Sequence, residues 1–258
     1  MRERQRVIEL DQAVNFRDIG GYRGLGGRQV KWGKIYRSAA LNELTLKDQI
    51  ILRNLRITVD CDLRTRHEQT AYPDLLWPGA RFVDIGLYAE GDRFNQSHPF
   101  LRLFHHIPDF EDNYLAKIYQ QVLLNDHSEA GIRRIFNELL RLPADQALVY
   151  HCAAGKDRTG IISILILLAL GVDDKTIAQD YLLTDDLYDF SYKKQHPTNE
   201  ALSQLIAQMN VTKGEGPAVL GVTETIRQGW GSFDKFFTSK LGFSKQDLEK
   251  FRAMYLEG

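Results

Sequence analysis

Apolar and polar residues alternate along Ile57-Thr58-Val59-Asp60-Cys61, a period of two that predicts a strand running into Asp62 and ending near Leu63. Lys34 to Arg37 and Arg81 to Ile85 read as further strands, the latter from its β-branched and aromatic content. Gln146 to Tyr150 holds the unbroken apolar run Ala147 to Tyr150, the mark of a short buried strand. Elsewhere a helical period takes over. Leu46 to Leu55 predicts a helix with Leu46, Ile50, Ile51 and Leu55 on its inner stripe and Thr45 as its cap. Glu111 to Leu124 and Glu129 to Leu140 predict two more, the first with Leu115, Ile118, Tyr119 and Val122 on one face. Gly160 to Leu170 is apolar on nearly every face and stops at Gly171. Helices are also predicted over Asp173 to Leu183, Ala201 to Met209, Val222 to Trp230 and Lys245 to Leu256. The last is capped by Ser244 and turns Leu248, Phe251 and Tyr255 inward. The N-terminal block through Arg28 reads as strands and turns.

Strands mixed with helices in this order predict an α/β fold, a mainly parallel central sheet flanked by helices on both faces. A single domain over residues 1–258 is expected. Leu87 to Asp112 has no clear period, and connections of that length are usually functional. Asp185 to Tyr192 is an acidic, aromatic run that suits a turn shaping a crevice. The first of these predicts a lid or substrate-contacting segment within 88–112. His98, His105 and His106 lack zinc-type spacing, so no metal is expected.

Composition narrows the partners. The chain has 258 residues and a formal net charge of −1, which argues against bulk electrostatic binding to nucleic acid or an anionic membrane. Two cysteines do not make a disulfide framework. The start, Met1-Arg2-Glu3-Arg4-Gln5-Arg6, lacks the apolar stretch of a signal peptide. The most apolar run, Ile161 to Leu170, is too short for a transmembrane segment. A cytoplasmic protein is the expectation.

One decapeptide concentrates the chemistry: His151-Cys152-Ala153-Ala154-Gly155-Lys156-Asp157-Arg158-Thr159-Gly160. It lies between a predicted strand and a predicted helix, so its amides meet at a helix N-terminus, where unpaired N–H groups and the dipole favour an anion. Cys152 at that position is expected to be a thiolate nucleophile. Arg158 offers a planar fork to two phosphate oxygens. Gly155 lets the backbone turn and approach the ligand without a Cβ. Thr159 is placed to give its hydroxyl to the sulfur, and His151 to orient the loop. Ala153, Ala154 and Lys156 complete the cradle. The other cysteine is an internal control: six residues after Cys61 stands His67, not arginine.

This loop resembles the signature of the cysteine-dependent protein tyrosine phosphatase superfamily. Its Gly-Lys-Asp-Arg-Thr-Gly ending resembles a microbial branch of it, which includes secreted mycobacterial and listerial phosphatases. Asn15-Phe16-Arg17-Asp18-Ile19-Gly20-Gly21-Tyr22, Tyr36-Arg37-Ser38, and Asp62-Leu63-Arg64 with Glu68 look like that branch's other blocks, in order. The resemblance implies a tyrosine-phosphatase-like fold with helical lid elements within 184–232, and a phosphocysteine intermediate with no cofactor. It implies a phosphorylated protein or a phosphoinositide as substrate, and inorganic phosphate or vanadate as active-site anions. It also leaves secretion open, because relatives are exported.

Two residues compete for the role of general acid. Asp157 occupies the place where myotubularin-type lipid phosphatases carry an aspartate. Asp62 sits at the C-terminal edge of its strand, where it would face the same crevice, or else pair with Arg64 or Arg37. Asp157 ranks narrowly first. Lys156 is a candidate to bind a second phosphate on an inositol ring or simply to raise the local potential, or else it is a solvated flank. By resemblance to tensin-type phosphatases, Cys61 is expected either to trap Cys152 as a disulfide under peroxide or to be an ordinary buried thiol. A catalytically silent phosphate-binding module and a rhodanese-like sulfur carrier are the rival readings. The full set of nucleophile, arginine, threonine and acid argues against the first, and the Arg-Thr-Gly ending against the second.

Overall fold

The computed structural model describes residues 5–88, 106–110, 113–188 and 216–258. Five strands form the central sheet in the order β1-β3-β6-β4-β5. They are β1 (Arg17–Asp18), β3 (Ile35–Ser38), β4 (Ile57–Asp62), β5 (Arg81–Asp84) and β6 (Ala147–His151). Only β1 runs antiparallel, against β3. The pairs β3–β6, β4–β6 and β4–β5 are parallel. A second, two-stranded sheet joins β2 (Gln29–Val30) to β7 (Leu256–Glu257).

A parallel sheet of this kind is covered on both faces, and β6 shows it residue by residue. Leu148 and Tyr150 enter the larger apolar cluster, while Ala147 and Val149 enter the smaller one. The larger cluster is built on α3 (Tyr114–Leu124), α4 (Asp126–Arg141), α5 (Asp157–Ala169), α7 (Gly216–Trp230) and α8 (Lys245–Tyr255). The smaller packs Phe16, Tyr36, Leu41, Leu52 and Trp77 beneath α1 (Leu46–Asn54). Two short helices border the site, α2 (Arg66–Ala71) and α6 (Asp174–Leu182).

The expected elements recur, with shifts that have local causes. The helix after the signature loop starts at Asp157, three residues before the predicted Gly160. The one predicted from Glu129 starts at Asp126, because the Asn125 side chain accepts from the amides of His127 and Ser128. Thr45 caps α1 as expected, in a reciprocal capping box with Asp48. The predicted inner stripe of α1 is half right: Leu55 packs against the smaller cluster and Ile51 is half-buried, but Leu46 and Ile50 face outward. Leu46 is 79% exposed and Ile50 59%, whereas Asp48 and Leu52 are buried. The Asp48 carboxylate accepts from the amides of Asp11, Gln12 and Thr45, so the helix turns its acid inward to hold the N-terminal segment. The predicted helix at Ala201 to Met209 and most of the two lid regions lie outside the described residues. Within the second region, α7 buries Ala218, Val219, Val222 and Ile226 in the larger cluster.

Candidate active site

The signature loop leaves the C-terminal end of β6 between β3 and β4 and enters α5, so its amides gather at the start of a thirteen-residue helix. Gly155 has φ +66°, and a Cβ there would lie 2.5 Å from the Ser38 carbonyl oxygen. The close approach that requires glycine is thus to the end of β3, rather than to a ligand. Three consecutive loop carbonyls are held from outside. Ala153 O accepts from the Ala40 amide at 3.2 Å. Ala154 O accepts from Asn15 Nδ2 at 3.0 Å, and Gly155 O from Asn15 Nδ2 at 3.0 Å and Arg37 Nη2 at 2.9 Å.

Cys152 is buried. Burial alone would raise its thiol, but the charge of Arg158 and the amide and hydroxyl of Thr159 outweigh it, and the group sits below its ordinary value. Arg158 is gripped by Glu68 of α2 in a two-point pair, Nη1 to Oε2 at 2.6 Å and Nη2 to Oε1 at 2.9 Å. Burial raises the Glu68 carboxyl, yet Arg158 prevails and holds it at about 2. A guanidinium has five N–H donors, so this pair leaves three for an anion. The Tyr88 ring lies under the guanidinium, 5.2 Å from centroid to Cζ.

Asp157 has the opposite environment. Burial pushes its carboxyl up, and Lys156, the Tyr119 hydroxyl and Arg158 only partly counter it. Tyr119 donates to Asp157 Oδ1 at 2.8 Å and meets the Tyr181 hydroxyl at 2.9 Å. A thiol pushed down and a carboxyl pushed up, five residues apart on one loop, are the environments that separate a nucleophile from an acid. Lys156 departs from one of its expected roles, the solvated flank. It is fully buried, with Nζ 3.4 Å from Asp157 Oδ1.

Asp62 is engaged elsewhere. Its carboxylate accepts from Arg64 Nε at 3.0 Å and Nη2 at 2.7 Å, and from the Arg64 amide at 2.9 Å. His151 lies on the same side of the sheet. Its Nε2 is 3.2 Å from Asp60 Oδ1 and 3.1 Å from Asp74 Oδ2, while Nδ1 faces the Cys152 carbonyl at 3.4 Å. Among the described residues, Asp60, Asp74 and His151 bring their ligand atoms close enough to share a cation. Burial opposes a charged ring, but Asp74, Asp62 and Asp60 outweigh it and raise the imidazole well above its ordinary range. Cys61 and Cys152 are both free thiols, and burial pushes the Cys61 thiol far up.

Several of these partners were not expected from sequence. Tyr119 was read only as apolar filling. Asp74 and Asp180 were not singled out at all. Asp60 and Asp62, two apart on a strand, had to share a face, and that spacing was an available signal. So was Thr65-x-x-Glu68, a capping-box pattern that the structure contains at α2.

Comparisons with known proteins agree with this geometry. A tyrosine-protein phosphatase of Nostoc commune is 34% identical over 148 residues, covering 57% of this chain and 47% of that protein. The triple specificity protein phosphatase PtpB of Mycobacterium tuberculosis is 29% identical over 208 residues, 70% of either chain. A provisionally named tyrosine-protein phosphatase of Cupriavidus necator is 27% identical over 264 residues, 97% of this chain and 89% of the other. Among the described residues no helix is long and apolar enough to cross a membrane. The model of the tyrosine phosphatase family matches residues 8–257, so loop, sheet and flanking helices fall within it together, and the chain belongs to that family.

Proposed function

We propose that the protein hydrolyses phosphotyrosine in proteins through a phosphocysteine at Cys152. The Cys152 thiolate attacks phosphorus as the bond to the tyrosine oxygen breaks. Asp157 gives its proton to that oxygen. Water then attacks the phosphocysteine, the S–P bond breaks, the thiolate is restored, and the water's proton passes to Asp157. Arg158 and the amides from Ala153 to Arg158 hold the non-bridging oxygens as charge redistributes. No step draws on a cofactor or metal. The observation that carries this reading is the paired displacement of the two groups, Cys152 down and Asp157 up, within one loop whose arginine is locked by Glu68.

The phosphoinositide reading keeps the mechanism, but the cation it relied on, Lys156, is buried against Asp157. Protein phosphotyrosine is therefore the substrate class we favour. A panel of a phosphotyrosine peptide, a phosphoserine peptide and a monophosphorylated inositol lipid tests it. The expected outcome is a kcat/KM at least about tenfold higher on the phosphotyrosine peptide. A higher value on the lipid would overturn the choice of substrate and leave the chemistry standing.

Tyr119→Phe tests the assignment of the acid. The hydroxyl donates to the charged carboxylate, so its loss raises the Asp157 pKa, and the acid stays protonated to higher pH. The basic limb of the kcat/KM profile is expected to move up by roughly half to one unit. A profile that does not move would separate Asp157 from the proton transfer.

A further inference from the structure

The block Asn15-Phe16-Arg17-Asp18, over 130 residues before the loop, plays no part in the chemistry above. Its geometry gives it one. Asn15 has φ +58°, a left-handed conformation that asparagine tolerates better than most side chains. That backbone points its side chain at the loop, where Nδ2 bridges the carbonyls of Ala154 and Gly155 at 3.0 Å each. Arg17 Nη1 donates in turn to Asn15 Oδ1, which fixes which end of the amide faces the loop. Arg17 Nη2 donates to the Asp180 carbonyl at 2.9 Å, and Arg17 Nε to the Asp180 carboxylate at 3.3 Å. The same carboxylate takes Arg37 Nη1 at 2.7 Å, while Arg37 Nη2 holds Gly155 O. Tyr22 donates to it as well, at 3.0 Å. Arg17, Arg37 and Asp180 are all fully buried.

In a trans peptide the carbonyl and the following N–H point in opposite directions. Carbonyls held outward at Ala153, Ala154 and Gly155 therefore turn the amides of Ala154, Gly155 and Lys156 to the far side of the loop. Two guanidiniums sharing one carboxylate also leave a net positive charge buried behind it. Desolvation and the Arg37 charge lower the Arg17 guanidinium to about 10, still charged at neutral pH.

We infer that Asn15 and Arg37, locked by Arg17 and Asp180, are positioning residues that hold two amides of the loop, those of Gly155 and Lys156, facing the phosphate. The inference rests on the proposed role of the loop as the phosphate cradle, and it adds the device that aims the cradle. These residues touch loop carbonyls and act on the substrate only through the amides.

The test uses the full chain. Asn15→Gly keeps the positive φ and removes only the amide. Arg37→Lys keeps a charge but cannot span Asp180 and Gly155 O together. Both are expected to lower kcat/KM by about tenfold or more and to weaken orthovanadate inhibition by a similar factor, measured well below each variant's melting temperature. A purely structural role would lower the melting temperature and leave the vanadate inhibition constant within twofold. That result would overturn the inference. Should Asn15→Gly fail to fold, Arg37→Lys decides alone. Cys152→Ser run in parallel separates the two levels. If it is inactive while both variants keep turnover and vanadate inhibition, the positioning inference falls and the cradle stands. If it is active, the phosphocysteine mechanism falls, and with it the proposed role of the loop on which the inference rests.

Discussion

Cys152→Ser is expected to fold, to bind a phosphotyrosine peptide, and to lose turnover by at least about 10⁴-fold. The size follows from the sulfur's surroundings. Arg158 and Thr159 outweigh burial to favour the thiolate, and a serine hydroxyl in the same cradle stays protonated. The cradle itself is untouched, because Glu68 still holds Arg158 and Asn15 still holds Ala154 and Gly155. Binding and turnover therefore come apart. Titration calorimetry of the peptide reads the first, and initial rates on an aryl phosphate read the second. Near-normal turnover in this variant would end the phosphocysteine mechanism.

Asp157→Asn carries the second largest effect, and it depends on the leaving group. A tyrosine phenolate is basic and needs the proton, so kcat on phosphotyrosine peptide is expected to fall by about 10² to 10⁴. On an aryl phosphate with an acidic phenol the loss is much smaller. The pH profile changes in a definite direction. Burial raises the folded pKa of Asp157, and the group must be protonated for the first step. Activity of the wild type therefore declines as pH rises through that value, and the variant loses this decline. Asp62→Asn is expected to keep it. Its effect is on folding instead, because the charged two-point partner of Arg64 becomes a neutral amide with one acceptor oxygen, and Asp74 Oδ1 at 2.9 Å is left as its charged partner. The opposite pattern would hand the acid role to Asp62.

What was legible in the chain was what lies close together in it. The loop from His151 to Gly160 is contiguous, and it sits where an apolar strand meets an apolar helix, so its place in the fold could be read directly. The strand at β4 was equally plain from its alternation. The order β1-β3-β6-β4-β5, by contrast, is a set of pairings between distant segments that no local pattern encodes. The same limit hid the site's partners. Tyr119 was correctly turned inward, but nothing near it in sequence says that its hydroxyl meets Asp157, 38 positions later. The Asp180 carboxylate joins Arg17 and Arg37 across more than 140 positions. Helix α1 failed at Leu46 and Ile50 for a different reason. Its apolar stripe was a fair pattern, but three backbone amides needed an acceptor, and Asp48 supplied it from the inside. A hydrogen-bond demand outweighed hydrophobic periodicity there.

The burial of Cys61 has a practical side. The chain holds two sulfhydryls, and one of them is sealed inside β4 with its ionisation suppressed. Both sulfurs are buried, so what separates them is ionisation: an electrophile added to the native protein at neutral pH is expected to prefer Cys152, whose charged form Arg158 and Thr159 favour. With Cys152 as the proposed nucleophile, covalent probes are expected to need no engineered background free of Cys61, and the extent of labelling to follow the number of intact signature loops.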